Sequence, residues 1–143
     1  MFLSTCVRVL TLGALLLTSA ITLADDARPE VADKVMAYQG EQGVKVWTLR
    51  IGARGANEAL VQVEGVDHDW NQRIQKMNVE KTAKGTRYST EANGQKFVAL
   101  ILQDGYGELY LPGESQELNV GYSEGLSSQG DAQAFLTDYL NQK

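Results

Sequence analysis

Alternating hydrophobic and polar positions predict a chain built mainly from short strands. The clearest stretch covers residues 86–111, where the turn dipeptides Asn-Gly at 93–94 and Asp-Gly at 104–105 enclose the apolar run 97–102. Asn-Gly and Asp-Gly supply the positive φ angles that tight hairpin turns require. The pattern therefore predicts a three-stranded meander, and its central strand, which is apolar on both faces, should be covered on both sides.

The rest of the pattern adds four strands and a helix. The predicted strands outside the meander cover residues 44–51, 58–64, 73–81 and 118–122. After residue 128 the period becomes helical, with an apolar stripe formed by Ala132, Phe135, Leu136, Tyr139 and Leu140. Ser128 and Asp131 have the spacing of a capping box. The predicted fold is mainly β: a single antiparallel β-barrel or strongly curved sheet of about seven strands, with a C-terminal α-helix packed on it.

The first 24 residues have the features of a secretory signal peptide. Arg8 precedes a short apolar stretch that ends in small residues at Ala24, which predicts cleavage after Ala24 and a periplasmic or secreted protein. An uncleaved anchor is the alternative, although the apolar stretch is shorter than the ~20 residues that span a bilayer. After cleavage, residues 25–43 form a polar leader that permits a short helix beginning at Pro29, and residues 44–143 form the β domain.

Composition narrows the compartment and the partners. The only cysteine, Cys6, lies in the predicted signal peptide, so the mature chain has neither a disulfide nor a thiolate metal site, which suits a bacterial periplasm. Its 119 residues are enough for one domain. Loss of Arg8 changes the net charge from −5 to −6. This balance disfavours nucleic acid and anionic lipid and is compatible with a cationic partner.

The densest cluster of polar and aromatic groups lies between the second and third predicted strands. It consists of Asp67, His68, Asp69, Trp70 and Asn71. No serine lies in a nucleophile elbow to pair with His68, the only histidine. The spacing of Asp67, Asp69 and Asn71 is that of a calcium loop, but Gln72 and Asn78 stand where Gly and Glu are required. The cluster is a second candidate binding loop. A metal-binding protein or enzyme using Asp67, His68 and Asp69 is one alternative function, and no catalytic residue and no cofactor are predicted.

The first candidate site is the segment 82–88, which reads Thr-Ala-Lys-Gly-Thr-Arg-Tyr. It resembles the Ser-Ala-Ser-Gly-Ala-Arg-Tyr loop of the bacterial envelope inhibitors of c-type lysozyme, small β-barrels that insert this loop into the lysozyme active-site cleft. Lys84 replaces a serine, and the two cysteines usual in that family are absent. The resemblance implies a non-catalytic inhibitor of a cationic cell-wall hydrolase such as lysozyme, with partner contacts from Thr82, Lys84, Gly85, Arg87 and Tyr88. An ordinary turn with Arg87 and Tyr88 as cross-strand residues is the alternative.

A second alternative function is an envelope barrel that binds a small apolar ligand. Aromatic side chains at the mouth of a barrel often line such pockets. The hypothesis places Trp47, Trp70, Tyr106 and Tyr110 around a pocket under the C-terminal helix. The alternative is that the same rings fill the core, since small barrels are packed by their own side chains.

Overall fold

A computed structural model describes residues 28–143, which form a closed antiparallel barrel of eight strands. The strands are β1 (Met36–Gly40), β2 (Lys45–Ile51), β3 (Glu58–Glu64), β4 (Ile74–Thr82), β5 (Gly85–Ala92), β6 (Gln95–Gln103), β7 (Tyr106–Leu109) and β8 (Leu118–Tyr122). Each strand pairs with the next one, and β1 closes the barrel against β8. A 3-10 turn, Glu41–Gly43, joins β1 to β2, and two helices, α1 (Glu124–Gln129) and α2 (Ala132–Asn141), follow β8. The predicted fold class is confirmed, with one strand more than expected.

The additional strand is β1, which lies in the predicted polar leader. The short helix expected there is wrong, because Met36–Gly40 pair with both β2 and β8. The helical spacing placed Val35 and Tyr38 on one face, but Val35 packs outside the barrel and Tyr38 packs inside it. The strand β1 is buried on both of its faces. The hydrophobic pattern of the sequence does not show that the second face is buried. The predicted signal peptide lies outside the described residues.

The predicted meander is confirmed as β5, β6 and β7. Both residues of each turn, at 93–94 and 104–105, have φ between 53° and 83°, as two-residue hairpin turns require. A β-bulge interrupts the pairing, because Tyr88 pairs with Leu100 whereas Ser89 pairs with Val98. The extra residue is Ala99, and it explains why two consecutive residues, Ala99 and Leu100, are both fully buried.

Hydrophobic side chains form two clusters separated by the barrel wall. The interior cluster includes Val46, Ala59, Val61, Met77, Leu100, Leu109 and Val120. The outer cluster joins α2 to the outer surface of β2, β3 and β4 through Leu49, Leu60, Ile74, Phe135 and Leu136. The two-residue period of a strand sends neighbouring side chains to opposite clusters. Leu136 has no exposed surface, and burial of one leucine stabilises the packing by about 2 kcal/mol.

The helix α2 begins three residues later than the predicted capping box. Its cap is Asp131, whose Oδ1 accepts a hydrogen bond of 3.0 Å from the Ala134 backbone N–H. Ser128 belongs to α1, which ends at the C-cap Gly130. The far end of α2 is fastened to β4, because the Gln142 amide accepts from the Ile74 N–H and donates to the Ile74 carbonyl.

Among the described residues, no helix covers the outer surface of β5 to β8. The expectation that the run 97–102 is covered on both sides is therefore wrong, since Val98 and Ile101 remain half-exposed. The two ends of the barrel also differ. We call the end with the loops 65–73 and 110–117 the loop end, and the end with the turns 52–57, 83–84 and 104–105 the turn end.

Candidate functional site

The segment that resembles an inhibitor loop forms the hairpin between β4 and β5. Thr82 pairs with Gly85 across a two-residue turn. The Thr82 hydroxyl donates to the Gly85 carbonyl at 3.1 Å and accepts from the Lys84 N–H at 3.1 Å. The segment is thus an ordinary strand-to-strand turn that continues the sheet, with Thr82 and Lys84 exposed at its tip.

The strand period divides the remaining predicted contact residues between the two faces of β5. Arg87 points outward, where it lies opposite Glu80 on β4 and Ile101 on β6. Tyr88 points inward and is 7% exposed. Its ring belongs to the interior cluster, where a partner protein does not reach it. Of the two residues, only Arg87 is available at the outer surface.

Lys84 and Arg87 border a groove of about 660 Å³ on the outer surface of β5 to β8. Ile101 and Tyr106 contribute its apolar surface, and Tyr106 is 74% exposed. Glu108 lies on the opposite side of the groove from the two cations. The groove therefore combines an exposed aromatic ring, an aliphatic floor and charges of both signs.

The second candidate loop closes the loop end of the barrel. The His68 Nε2 lies 2.8 Å from the Pro112 carbonyl oxygen, and the His68 Nδ1 accepts a 3.1 Å hydrogen bond from the Trp70 N–H. These partners assign the proton to Nε2, which donates to the carbonyl. Trp70 packs edge-to-face on His68 and on Phe97, with ring centroids 5.8 Å apart in both pairs. Both ring nitrogens of His68 are thus occupied in holding the loop.

The acidic and amide groups of this loop do not converge on a common point. The Asn71 Oδ1 accepts hydrogen bonds from the backbone N–H groups of Gly65 and Val66, at 2.8 and 3.2 Å. Asp67 and Asp69 are exposed. Among residues 28–143, no group of three or more acidic or histidine side chains is arranged to hold a metal ion. The geometry of the loop is that of a barrel closure.

The four aromatic residues expected around one pocket lie in three separate places. Trp47 packs on the outer cluster, and its indole N–H donates to the Glu64 carboxylate. Trp70 lies at the loop end, and Tyr106 lies in the groove. Tyr110 lies beside the groove residue Glu108, to which it donates a hydrogen bond of 3.2 Å. The predicted arrangement around a shared pocket is therefore wrong, because closure of the barrel sends these side chains to different surfaces.

Sequence reasoning missed the polar groups inside the turn end. Arg50 lies on the inward face of β2, and its buried Nε has no hydrogen-bond partner in the part of the chain that the structure describes. Burial raises the pKa of Tyr88, and the nearby Arg50 charge opposes that rise. Burial, with smaller contributions from Tyr88 and Tyr122, raises the pKa of Tyr38 to about 12. The alternation along β2 placed Arg50 on the face of Val46, but only closure of the barrel makes that face an interior.

The fold and these sites define the chain as a closed antiparallel barrel with an external helix. No family model, curated protein or solved structure matches it significantly. Within the described part of the chain, every helix is too short or too polar to cross a membrane.

Proposed function

We propose that this protein is a small exported, non-catalytic binding protein that recognises a cationic protein partner through the groove on β5 to β8. The observation that carries the proposal is the groove itself. It occupies the side of the barrel that α2 leaves uncovered, and it contains two of the residues that the sequence marked for partner contact, Lys84 and Arg87. The barrel interior is filled by its own side chains, which favours a surface partner over an enclosed apolar ligand.

The apolar part of the groove supports a protein partner. Tyr106 presents most of its ring to solvent, and Ile101 lies beside it in the groove. Protein interfaces are enriched in tyrosine, and their strongest contacts are aromatic residues beside aliphatic ones. Burial of both side chains by a partner would contribute about 2 kcal/mol each.

Charge supports a partner of basic character. The net charge of −5 for the whole chain, or −6 without the predicted signal peptide, attracts a cationic protein from a distance and raises its rate of association. At closer range, Glu108 offers a carboxylate to a basic side chain, while Arg87 offers a guanidinium. Charges of both signs fix the orientation of the partner. A c-type lysozyme is the specific partner that the likeness of residues 82–88 suggests.

A cell-wall clearing assay tests the lysozyme version directly. Purified protein is added to c-type lysozyme and a suspension of bacterial cell walls, and the rate of clearing is measured. We expect inhibition, and we expect Tyr106→Ser and Arg87→Glu each to weaken it about tenfold, which corresponds to about 1.4 kcal/mol. Lys34→Glu is the matched control, since Lys34 is exposed and lies outside the groove. Full lysozyme activity at a hundredfold molar excess of the protein would remove lysozyme as the partner.

A crosslinking experiment tests the broader proposal. A photoreactive amino acid replaces Tyr106 in the groove, and in a second variant it replaces exposed Asn93 at the loop end. In cells that make the protein, we expect one discrete basic protein to be crosslinked from position 106 and not from position 93. Adding Arg87→Glu should abolish the crosslink. A crosslinking pattern that is identical at the two positions would refute the groove as the recognition surface.

A further inference from the structure

Arg50 places a positive charge inside the turn end of the barrel, and it forms no ion pair with another residue of the range 28–143. Arg50 shares the inward face of β2 with Val46 and Thr48, and it lies opposite Ala59, which is fully buried in the interior. The two ion pairs formed within residues 28–143 join Lys76 to Glu58 and Lys96 to Glu80, so neither includes Arg50. A buried guanidinium N–H that makes no hydrogen bond costs stability.

The Tyr88 phenol lies near this charge, and the Tyr38 phenol lies near that of Tyr88. Tyr38 and Tyr88 are each 7% exposed and point inward, and Tyr122 packs edge-to-face on Tyr38 with ring centroids 5.7 Å apart. Each of the two hydroxyls can donate a hydrogen bond. Arg50 and the two hydroxyls thus provide a set of hydrogen-bond donors.

Two cations, Arg50 and Lys81, occupy the inward-facing register at the turn end. The alternation of side chains along β4 places Lys81 on the same inward-facing register as Met77 and Val79, near the end of the strand next to the hairpin. The carboxylate nearest in sequence, Glu58, faces the outer surface, where it pairs with Lys76 at 3.5 Å. The inward positions at this end therefore carry cations and hydroxyls.

We propose that the turn end binds a small oxyanion, a carboxylate or a phosphate group, with Arg50 as its principal ligand and the Tyr38 and Tyr88 hydroxyls as additional donors. A guanidinium forms a planar fork that matches two oxygens of either group. The interior beyond these residues is filled by Val46, Val61, Leu100 and their neighbours. The site therefore accepts a free ion or the head group of a larger molecule, while the remainder of that molecule lies outside the barrel.

The rim of the site offers apolar surface for such a remainder. Met36 is 39% exposed and Tyr122 is 41% exposed at the turn end, and both are large hydrophobic residues on strands that close the barrel. An aliphatic chain attached to a carboxylate would cover them. This feature distinguishes a fatty-acid head group from free phosphate, and the experiment below includes both.

Nuclear magnetic resonance of the arginine side chains tests the proposal. The purified protein, labelled with ¹⁵N, is titrated with sodium phosphate, sodium acetate and sodium octanoate, and the Nε–H resonance of Arg50 is followed. Arg50→Gln identifies that resonance by its absence. Arg54→Gln is the matched control, because Arg54 is exposed in the turn after β2, and sodium chloride at equal ionic strength controls for screening.

We expect a saturating shift of the Arg50 Nε–H resonance with at least one of the three anions. Affinity, read from other shifted resonances, should fall at least tenfold in Arg50→Gln and stay within twofold in Arg54→Gln. Tyr88→Phe keeps the ring and should weaken binding severalfold, which preserves the test if Arg50→Gln fails to fold. Phosphate binding alone would identify a free ion as the ligand, and octanoate binding tighter than acetate would identify a fatty-acid head group.

Two results would overturn the proposal. The first is a set of shifts that none of the three anions saturates or that sodium chloride reproduces. The second is equal affinity in the wild type and in both Arg50→Gln and Tyr88→Phe. Because this site lies inside the barrel, the groove variant Tyr106→Ser should leave anion binding unchanged. A negative result for anion binding would therefore not contradict the proposed partner surface in the groove.

Discussion

The hairpin at residues 82–88 leads to a prediction about Gly85, the residue of that segment whose backbone packs most tightly. Gly85 has φ of +127°, a conformation that residues with a Cβ rarely adopt. A Cβ added there would overlap the Leu102 carbonyl oxygen on β6 and lie 3.3 Å from the Gln103 Cβ. Gly85→Ala therefore combines backbone strain with a collision against a neighbouring strand, which moves only if the sheet distorts.

The cost of this substitution is the sum of two effects. The backbone strain is worth roughly 1–3 kcal/mol, and overpacking against a fixed backbone atom adds about 1–3 kcal/mol. Gly94→Ala is the control, since Gly94 also has positive φ, +79°, but an added Cβ would meet no atom within 4 Å. It should cost about 1 kcal/mol, from strain alone. We expect Gly85→Ala to lower the free energy of unfolding by about 2–6 kcal/mol.

Urea and thermal denaturation followed by circular dichroism measure both variants. For a domain of this size, each kcal/mol lowers the Tm by about 4 °C, so we expect a decrease of about 8–24 °C for Gly85→Ala and about 4 °C for Gly94→Ala. Decreases that agree within 2 °C would refute the packing argument. A larger decrease for Gly85→Ala than for Gly94→Ala would mean that packing alone explains the glycine shared with the lysozyme inhibitors. Loss of binding in a Gly85 variant would then report on folding.

Two further predictions concern the interior and the loop end. Burial raises the pKa of Tyr38 from 10.0 to about 12. The protonated Tyr38 therefore stabilises the fold fully below pH 10, and this contribution of about 2–3 kcal/mol is lost between pH 10 and 12. Absorbance titration and denaturation should show this loss of stability in the wild type and a smaller loss in Tyr38→Phe. His68→Ala should cost about 1–3 kcal/mol, because it leaves the Trp70 N–H without its acceptor. Zinc should leave the Tm of the wild type unchanged, and a zinc-dependent increase that His68→Ala removes would contradict the structural role.

Local features were predictable wherever a short stretch of chain decides them. The turns at 93–94 and 104–105 need positive φ, and their residue types indicate this directly. The alternation along β2 separated Val46 from Leu49 correctly, because side-chain direction follows from the strand period alone. The apolar stripe of the C-terminal helix was predictable because it follows from the helical period alone. The start of the helix was misplaced, because the polar residues at 128–131 offer more than one possible cap.

The candidate sites were predictable only in part. Lys84 and Arg87 were correctly expected at the surface, since both are long charged side chains near a turn. Tyr88 was assigned to the same surface, yet the neighbouring position on a strand faces the interior. The groove was not predictable, because Ile101, Tyr106 and Arg87 come from three strands, and the bulge at Ala99 shifts the register between two of them, β5 and β6. A one-residue shift in pairing would exchange the faces of the strand.

The sequence by itself determined the local structure of this protein: strands with alternating faces, tight turns between them and one amphipathic helix near the end. The tertiary structure decided which face is inside. Closure of β1 on β8 turned part of a polar leader into barrel wall and made the face of β2 that carries Arg50 an interior face. It also directed α2 to one side of the barrel and left the other side open. The physical reason is that burial depends on contacts between residues far apart in the chain, whereas turns and side-chain alternation depend on neighbours only.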